Sequence, residues 1–304
     1  MECASIINRG PPAPIAGKCW TSTEGGGLGG SLLRRLGLTD PLGKNAFMAN
    51  MTTRDNSASN AEPDKTVIAC LGSSSTAGKG QAFDWIGELT RRPQNERYCF
   101  RNFGVGGDLS YNALQRLPAI IESRPGIVIV WVGGNDVLAL VSAKIRWVFK
   151  RRKHLPAEPS PEWFRVNLQA ITRRLKNETS ARVALCSLPP IGEDSSFADS
   201  FQSHLNRGIE QFSAIIKDIA QTEHVDYIPL HEVIGTELKK LPCHAFTSFR
   251  FHRFYRDAFR ILILGKSPDE VAKMNGWSLH TDGVHLNSRG GMIVADLVQE
   301  FLNH

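Results

Sequence analysis

Short apolar runs alternate with longer segments of helical periodicity from about residue 67 to the end of the chain. The apolar runs are partly β-branched and end at glycine or polar residues, so they predict five buried strands, at residues 67–71, 98–103, 127–132, 182–188 and 225–228. Apolar residues three and four apart predict helices, at residues 83–92, 110–123, 162–177, 197–222 and 288–302. This alternation predicts a three-layer α/β/α domain around a central, mostly parallel sheet of about five strands.

The first 64 residues lack such a pattern and contain a glycine-rich run at residues 25–30 with scattered prolines and serines. We therefore predict a disordered N-terminal extension over residues 1–64 and a folded domain over residues 65–304. The extension lacks the basic start, apolar run and cleavage site of a secretory signal, and no apolar run reaches the roughly 18 residues of a membrane span. These features predict a cytoplasmic protein, and the acid-poor extension leaves organellar targeting open.

Two basic and aromatic segments, at about residues 141–160 and 240–275, are insertions into a minimal sheet-and-helix plan. The first contains a run of cations without an acid from Lys144 to Lys153. The second sets an apolar stripe opposite four arginines, Arg250, Arg253, Arg256 and Arg260. With a net charge of +6, the chain favours contact with anionic surfaces. A cap over an active site, a membrane-facing rim and an ordinary surface helix all fit the second pattern.

Three adjacent hydroxyl groups, those of Ser73, Ser74 and Ser75, follow the first predicted strand between Gly72 and Gly78. Open α/β sheets bind ligands at the carboxyl ends of their strands, so one of these serines is a candidate nucleophile.

Two glycine-containing stretches follow the second and third predicted strands. Gly107 precedes Asp108 at a predicted helix start, where backbone N–H groups favour negative charge, and its spacing does not match a dinucleotide fingerprint. Asn135 follows Gly133 and Gly134 and can present an amide donor at the same edge of the sheet. Asn-Asp after Gly-Gly is also common in turns and helix caps.

Asp282 and His285 lie three residues apart in a glycine-containing loop before the last predicted helix. A carboxylate at this spacing can accept a hydrogen bond from one imidazole nitrogen while the other nitrogen faces a nucleophile. Each stretch alone also fits an ordinary loop, so the evidence is that all four occur together at predicted strand ends and before the last helix.

The four stretches resemble the motif blocks of the SGNH hydrolases, also called the GDSL esterase/lipase family, over about residues 65–304. Gly72-Ser73-Ser74 is similar to the G-D-S block, Gly107 to the glycine block, Gly133-Gly134-Asn135-Asp136 to the G-x-N-D block, and Asp282 with His285 to the D-x-x-H block. The resemblance implies a flavodoxin-like fold and hydrolysis of carboxylic esters without a metal or organic cofactor.

For individual residues, the resemblance implies an acyl-enzyme on Ser74, with His285 as general base and Asp282 as its orienter. It also implies an oxyanion hole formed by the backbone N–H groups of Ser74 and Gly107 and the side-chain amide of Asn135. One departure is Ser73, which replaces an aspartate that lies outside the family's triad. We expect this exchange to affect the support of the turn more than the chemistry, and Ser73 and Ser75 stay as minor alternatives to Ser74.

The expected partner is a small-molecule or lipid-like ester, with peripheral contact to an anionic membrane through the basic insertions. The motif blocks define neither the acyl group, nor the alcohol, nor the oligomeric state. Two alternatives stay open: a catalytically silent scaffold of the same fold, and a protein that binds an anionic membrane or nucleic acid, although no nucleic-acid recognition motif accompanies the basic runs.

Overall fold

The computed structural model of the chain describes residues 65–193, 201–241 and 251–304, with side chains from residue 255 onward in the last range. The described residues contain five strands in one all-parallel sheet: β1 (Thr66–Gly72), β2 (Tyr98–Gly104), β3 (Ile127–Trp131), β4 (Arg182–Cys186) and β5 (Asp226–Ile228). Their spatial order is β2-β1-β3-β4-β5. This is the doubly wound order of flavodoxin-like folds, and it confirms the predicted fold class. The predicted N-terminal extension lies outside the described residues.

Helices cover both faces of the sheet. In chain order they are α1 (Ser74–Ala77), α2 (Trp85–Arg91), α3 (Ser110–Gln115), α4 (Leu117–Glu122), α5 (Gly134–Val141), α6 (Ala143–Arg152), α7 (Pro161–Glu178), α8 (Phe201–Thr222), α9 (Leu230–Leu238), α10 (Phe251–Leu262), α11 (Pro268–Asn275) and α12 (Ser288–Asn303). Helices α2 and α12 pack together, and α3, α4, α7 and α8 form a second packed group. Right-handed crossovers place these two groups on opposite faces.

The prediction of a single helix over residues 110–123 is wrong, because the segment forms two short helices that meet at Arg116. Pro118 occupies the first turn of α4, where its missing N–H group costs nothing. Within a continuous helix, the same proline would remove a hydrogen bond and clash with the preceding turn. The predicted start of the helix at residue 197 lies outside the described residues.

The core lies on the three inner strands, β1, β3 and β4. Ile68, Leu71 and Val128 have no exposed surface, as expected for parallel strands that are covered on both faces and therefore read as continuous apolar runs. The strand order reverses between β1 and β3, and in open α/β sheets ligands bind beside the carboxyl ends at this point. The chain leaves β1 into α1 and leaves β3 into α5, so Ser74 and Asn135 both start from this crevice.

None of the helices in the described ranges combines the length and the apolar character that a bilayer span requires.

Candidate active site

The turn after β1 places Ser74 at the first position of α1, against the end of β2. A side chain at Gly104 would bring its Cβ within 2.2 Å of the backbone nitrogen of Ala77. A Cβ at Gly72 would lie 1.9 Å from Oγ1 of Thr76 and 2.8 Å from the carbonyl oxygen of Trp131. Both glycines are therefore required by close backbone approach, and this approach brings the Ser74 turn into the sheet edge.

Ser73 is the N-cap of α1, but its side chain makes no capping hydrogen bond. Other parts of the fold hold the turn instead. Trp85 donates from Nε1 to the carbonyl oxygen of Ser75 over 3.1 Å, and Asn102 donates from Nδ2 to that of Thr76 over 2.9 Å. Arg116 donates from Nη2 to the carbonyl oxygen of Gly72 over 3.2 Å. These contacts supply local support at the position where Ser73 replaces an aspartate.

The structure brings Ser74, His285 and Asp282 into one hydrogen-bonded chain. Nε2 of His285 lies 2.9 Å from Oγ of Ser74, and Nδ1 of His285 lies 2.8 Å from Oδ2 of Asp282. The other carboxylate oxygen of Asp282 accepts hydrogen bonds from the backbone N–H groups of Val284 (2.9 Å) and His285 (2.8 Å). With Nδ1 donating to the carboxylate, Nε2 carries the lone pair that accepts the serine proton.

Burial and charge act in opposite directions on this pair. Burial raises the pKa of Asp282, but the adjacent imidazole and the backbone N–H groups of His285 and Val284 outweigh it, and the pKa ends below its ordinary value. Burial lowers the pKa of His285, but the carboxylate of Asp282 outweighs it, and the pKa ends above its ordinary value. The pair therefore favours the state in which Asp282 is ionised and a proton on the imidazole is stabilised.

Asn135 lies in the first turn of α5, almost fully buried, and its Nδ2 donates to the carbonyl oxygen of Asp108 over 2.9 Å. This bond orients the amide and ties the block after β3 to the block after β2. Gly107 has a φ of 75°, in the left-handed region that favours glycine. A Cβ there would lie 3.1 Å from Cε of Lys153, so the first basic insertion covers this residue.

The carboxylate of Asp108 holds the glycine-containing loop in place. Arg116 donates to it from Nε over 2.8 Å, and Lys153 donates to it from Nζ over 2.8 Å and to the carbonyl oxygen of Gly106 over 2.7 Å. The sequence did not indicate these roles, because a single cation in an amphipathic or basic helix has no distinguishing pattern. Lys153 in particular belongs to the run that predicted a surface contact.

A cavity of about 50 Å³ lies beside Ser74. Its wall is mainly apolar and is formed by the carboxyl ends of β1, β3 and β4 together with α5, α8 and the Asp282–His285 loop, through Ser73, Ser74, Ser75, Trp131, Gly134, Asn135, Leu138, Leu188, Pro189, Ile191, Ile209 and Val284. Gly107 and His285 are not part of this wall. Ser74 therefore stands between the histidine on one side and a small apolar space on the other.

The second basic insertion exposes its apolar residues. Phe259, Leu262 and Ile263, in α10 and just after it, are 52%, 70% and 68% exposed. Asp257 on the same helix is buried and accepts hydrogen bonds from Arg256 and Arg260. The ordinary alternative, an apolar stripe packed on the core, does not describe this end of the helix.

The chain matches the model of the GDSL-like Lipase/Acylhydrolase family over residues 70–253. Among solved structures, it is similar to an acetyl xylan esterase, with 21% identity over 77% of this chain and 98% of that chain and a TM-score of 0.53. It is also similar to an acetylxylan esterase from Geobacillus stearothermophilus, with 16% identity over 78% of this chain and 95% of that chain and a TM-score of 0.54. A putative GDSL-like lipase from Parabacteroides merdae has 15% identity over the same shares and a TM-score of 0.53. No curated protein matches the chain in sequence.

Proposed function

Because the chain belongs to the GDSL-like Lipase/Acylhydrolase family and is a carboxylic ester hydrolase, we propose that it forms an acyl-enzyme on Ser74. The observation that carries this proposal is the continuous contact from Ser74 through His285 to Asp282, with distances of 2.9 and 2.8 Å. A serine hydroxyl is a poor nucleophile at neutral pH and needs a base within hydrogen-bond reach. His285 meets this condition.

In the proposed first step, Oγ of Ser74 attacks the ester carbonyl carbon while Nε2 of His285 takes the hydroxyl proton. Asp282 holds the imidazole in the required tautomer and stabilises the imidazolium that forms. His285 then gives the proton to the departing alcohol oxygen. In the second half, His285 takes a proton from water, the resulting hydroxide attacks the acyl carbon, and the proton returns to Ser74 as the acid leaves.

The oxyanion would be stabilised by the Asn135 amide and the backbone N–H groups of Ser74 and Gly107. The position of Asn135 in the cavity wall and its anchoring to Asp108 support its part in this role. Support for Gly107 is less direct, because it lies beside Asp108 in the same loop but outside the cavity wall. Losing one such donor typically lowers kcat by about 100- to 1,000-fold.

The nucleophile can be tested with three matched exchanges. Ser74→Ala should abolish both hydrolysis of a chromogenic short-chain ester and labelling by a fluorophosphonate. Ser73→Ala and Ser75→Ala remove the same hydroxyl one residue away and should keep labelling. Full labelling of Ser74→Ala would exclude Ser74 as the nucleophile, and an unlabelled wild type would contradict an acyl-enzyme on a serine.

The cavity supports a short acyl group. One water molecule needs about 10 to 15 Å³ of cavity volume. The cavity of about 50 Å³ therefore accommodates a few heavy atoms and not an extended fatty-acyl chain. Two of the similar structures carry names that specify acetyl esters of xylan. An acetyl ester is therefore the first substrate to test here, with the chain lengthened stepwise in the same assay.

A second proposed role is peripheral contact with an anionic membrane through the end of α10. The exposed Leu262 and Ile263 would enter the bilayer surface. Arg256 and Lys266, whose side chains are 45% and 37% exposed and pair with Asp257 and Glu270, would face lipid headgroups. Each cation near such a surface contributes about 1 kcal/mol. The first insertion contributes less than its sequence indicated, since Arg146 and Lys150 pair with Glu158, and Lys153 pairs with Asp108.

Co-sedimentation with vesicles tests this contact. Binding to vesicles containing phosphatidylserine should exceed binding to neutral vesicles, decrease as salt rises, and disappear in a Leu262→Ser, Ile263→Ser double variant. Val166→Ser changes a comparably exposed apolar side chain on α7 and should bind as wild type does. Binding that ignores salt or survives the double variant would contradict the proposal.

A further inference from the structure

A buried carboxylate that the proposed mechanism does not use, that of Glu193, contacts the loop that carries Asp282 and His285. Glu193 lies in the segment after β4, and its side chain is fully buried. It accepts hydrogen bonds from three consecutive backbone N–H groups, those of Ser278 (2.8 Å), Leu279 (2.6 Å) and His280 (2.9 Å). Three amides on one carboxylate fix the direction in which the backbone enters the loop.

The side chain of His280 completes the buried contact. Its Nδ1 lies 3.1 Å from Oε1 of Glu193, and its Nε2 lies 3.1 Å from the carbonyl oxygen of Pro190. Each ring nitrogen therefore has an oxygen within hydrogen-bond distance. A buried charge is tolerated when it is paired and its hydrogen-bonding capacity is satisfied, and this pair meets both conditions.

The charged state of Glu193 agrees with this geometry. Burial raises the pKa of its carboxyl group, but the hydrogen bond and charge of His280 and the backbone N–H groups outweigh this effect. The pKa is therefore lowered to about 2. Glu193 is therefore an anion throughout the neutral pH range.

The same segment also contacts the tip of the loop. The backbone N–H group of Gly192 donates to the carbonyl oxygen of Gly283 over 2.7 Å, and within the loop Thr281 donates to the carbonyl oxygen of His285 over 2.7 Å. Glu193 and Gly192 thus hold the loop on both sides of Asp282. Two residues earlier, Ile191 forms part of the cavity wall, so one segment fixes both the wall and the loop.

We propose that Glu193, paired with His280, is a positioning residue that keeps the Asp282–His285 loop at the distance from Ser74 that proton transfer requires. This inference rests on the proposed function, because it assigns Glu193 an effect on catalysis through His285. Glu193 itself does not touch the reacting atoms. A displacement of about 1 Å in a catalytic group can lower the rate about 100-fold, so a loop that allowed His285 to move would lower the rate strongly.

The Glu193→Gln exchange tests the proposal, because it keeps the size of the side chain and removes its charge. We expect kcat to fall about 100-fold with KM within about twofold of wild type, since the cavity wall stays while the position of His285 loosens. Glu193→Asp restores the anion on a shorter side chain and should recover at least about tenfold of the lost kcat. A folded Glu193→Gln protein with wild-type kcat would overturn the proposal.

The matched control is Glu223→Gln. Glu223 is a nearly buried carboxylate that pairs with Arg173 over 2.7 Å, just beyond α8 and before β5, at the opposite edge of the sheet from Ser74. It should lose stability without a change in kcat. An equal loss of kcat in both variants would show that the effect of Glu193 is only structural, which also overturns the proposal.

A second variant covers the outcome in which Glu193→Gln does not fold. His280→Gln leaves the three amides on Glu193 and removes only the imidazole ring, and it should lower kcat about tenfold at unchanged KM. Unchanged kcat would contradict the proposal. Fluorophosphonate labelling is measured in parallel to test the proposed function itself, which expects labelling of wild type but not of Ser74→Ala. A failure of the Ser74 mechanism can therefore be distinguished from a failure of the positioning role of Glu193.

Discussion

At the scale of single residues, His285 must meet two requirements. Its imidazole must be neutral to accept a proton from Ser74, and the imidazolium that forms must then be stabilised. The contact with Asp282 serves the second requirement by raising the pKa of His285. The consequence is that activity requires a higher pH than an isolated histidine would need. Activity should be full above the raised pKa and should be lost as pH falls through it.

The acid limb of kcat/KM should therefore have its midpoint above about 6.5, the ordinary histidine value. Asp282→Asn removes the carboxylate charge and should move this midpoint down while lowering kcat by about 10⁴-fold, the size of the same exchange in a serine protease triad. Asp296→Asn, a largely exposed position paired with Arg92, serves as the matched exchange and should leave both quantities unchanged. A midpoint that does not move in Asp282→Asn would show that another group sets it.

The side chain of Leu138 closes part of the cavity, so a single exchange at this residue can change its size. It is 6% exposed and lies on α5, in the wall beside Ser74. Leu138→Ala should enlarge the cavity and raise kcat/KM for a hexanoyl ester relative to an acetyl ester by about tenfold or more, since one methylene in an apolar pocket is worth about 1 to 3 kcal/mol.

The control for this exchange is Leu175→Ala on α7, which removes a fully buried leucine outside the cavity wall. Both variants should lose about 2 to 5 kcal/mol of stability. Only Leu138→Ala should change the ratio between the two esters, and an equal change in both would mean that general loosening determines acyl selectivity.

At the scale of elements, the position of Ser74 depends on how closely α1 approaches the end of β2. Gly104→Ala would push a methyl group against the backbone of Ala77, which has no room to move without moving α1. We expect a loss of several kcal/mol of stability and of most of the activity, since overpacking alone typically costs about 1 to 3 kcal/mol. The midpoint of urea unfolding and the rate of fluorophosphonate labelling measure the two effects.

Gly106→Ala provides the comparison two residues further along the same loop. Beyond the two neighbouring residues, no atom lies within 4 Å of a Cβ at this position, and Gly106 is not among the glycines with positive φ. The exchange should therefore be close to neutral for both stability and labelling. If both variants behaved alike, the close approach of α1 to β2 would not be what positions Ser74.

The whole molecule shows which parts of this arrangement a single sequence reveals. The strands follow from short apolar runs, because a strand buried on both faces leaves a continuous apolar pattern. Their parallel arrangement follows from the alternation of strands with helices. The motif blocks indicated Ser74, Asn135, Asp282 and His285, because four stretches that each fit an ordinary loop occur together in the order of the family's motifs. Arg116, Lys153 and Glu193 left no such signal: the partners of Arg116, Asp108 and Gly72, lie 8 and 44 residues away, and those of Lys153 and Glu193 lie 45 or more and 85 or more residues away. Such contacts are created by the fold and have no local period or spacing.

The buried pair of Glu193 and His280 also links the site to the stability of the whole molecule. The carboxyl group of Glu193 has a pKa of about 2 in the folded protein against an ordinary 4.5. A depressed acid pKa stabilises the fold at pH values above the unfolded pKa, and this contribution disappears as pH falls through the folded value. Wild type should therefore lose up to about 3 kcal/mol of unfolding free energy from this group between about pH 4.5 and pH 2.

Glu193→Gln has no carboxyl group to titrate at this position, so its unfolding free energy should fall less steeply over the same pH range. Urea unfolding at a series of pH values measures the difference in slope, and Glu223→Gln again serves as the matched exchange. These measurements separate the effect of the Glu193–His280 contact on stability from its effect on catalysis. The difference in unfolding free energy between wild type and Glu193→Gln should be large at neutral pH and shrink in acid. The loss of kcat should still be found at neutral pH. Parallel pH curves for wild type and Glu193→Gln would mean that folding does not lower the pKa of Glu193, which would contradict a contact with His280 that stabilises the carboxylate.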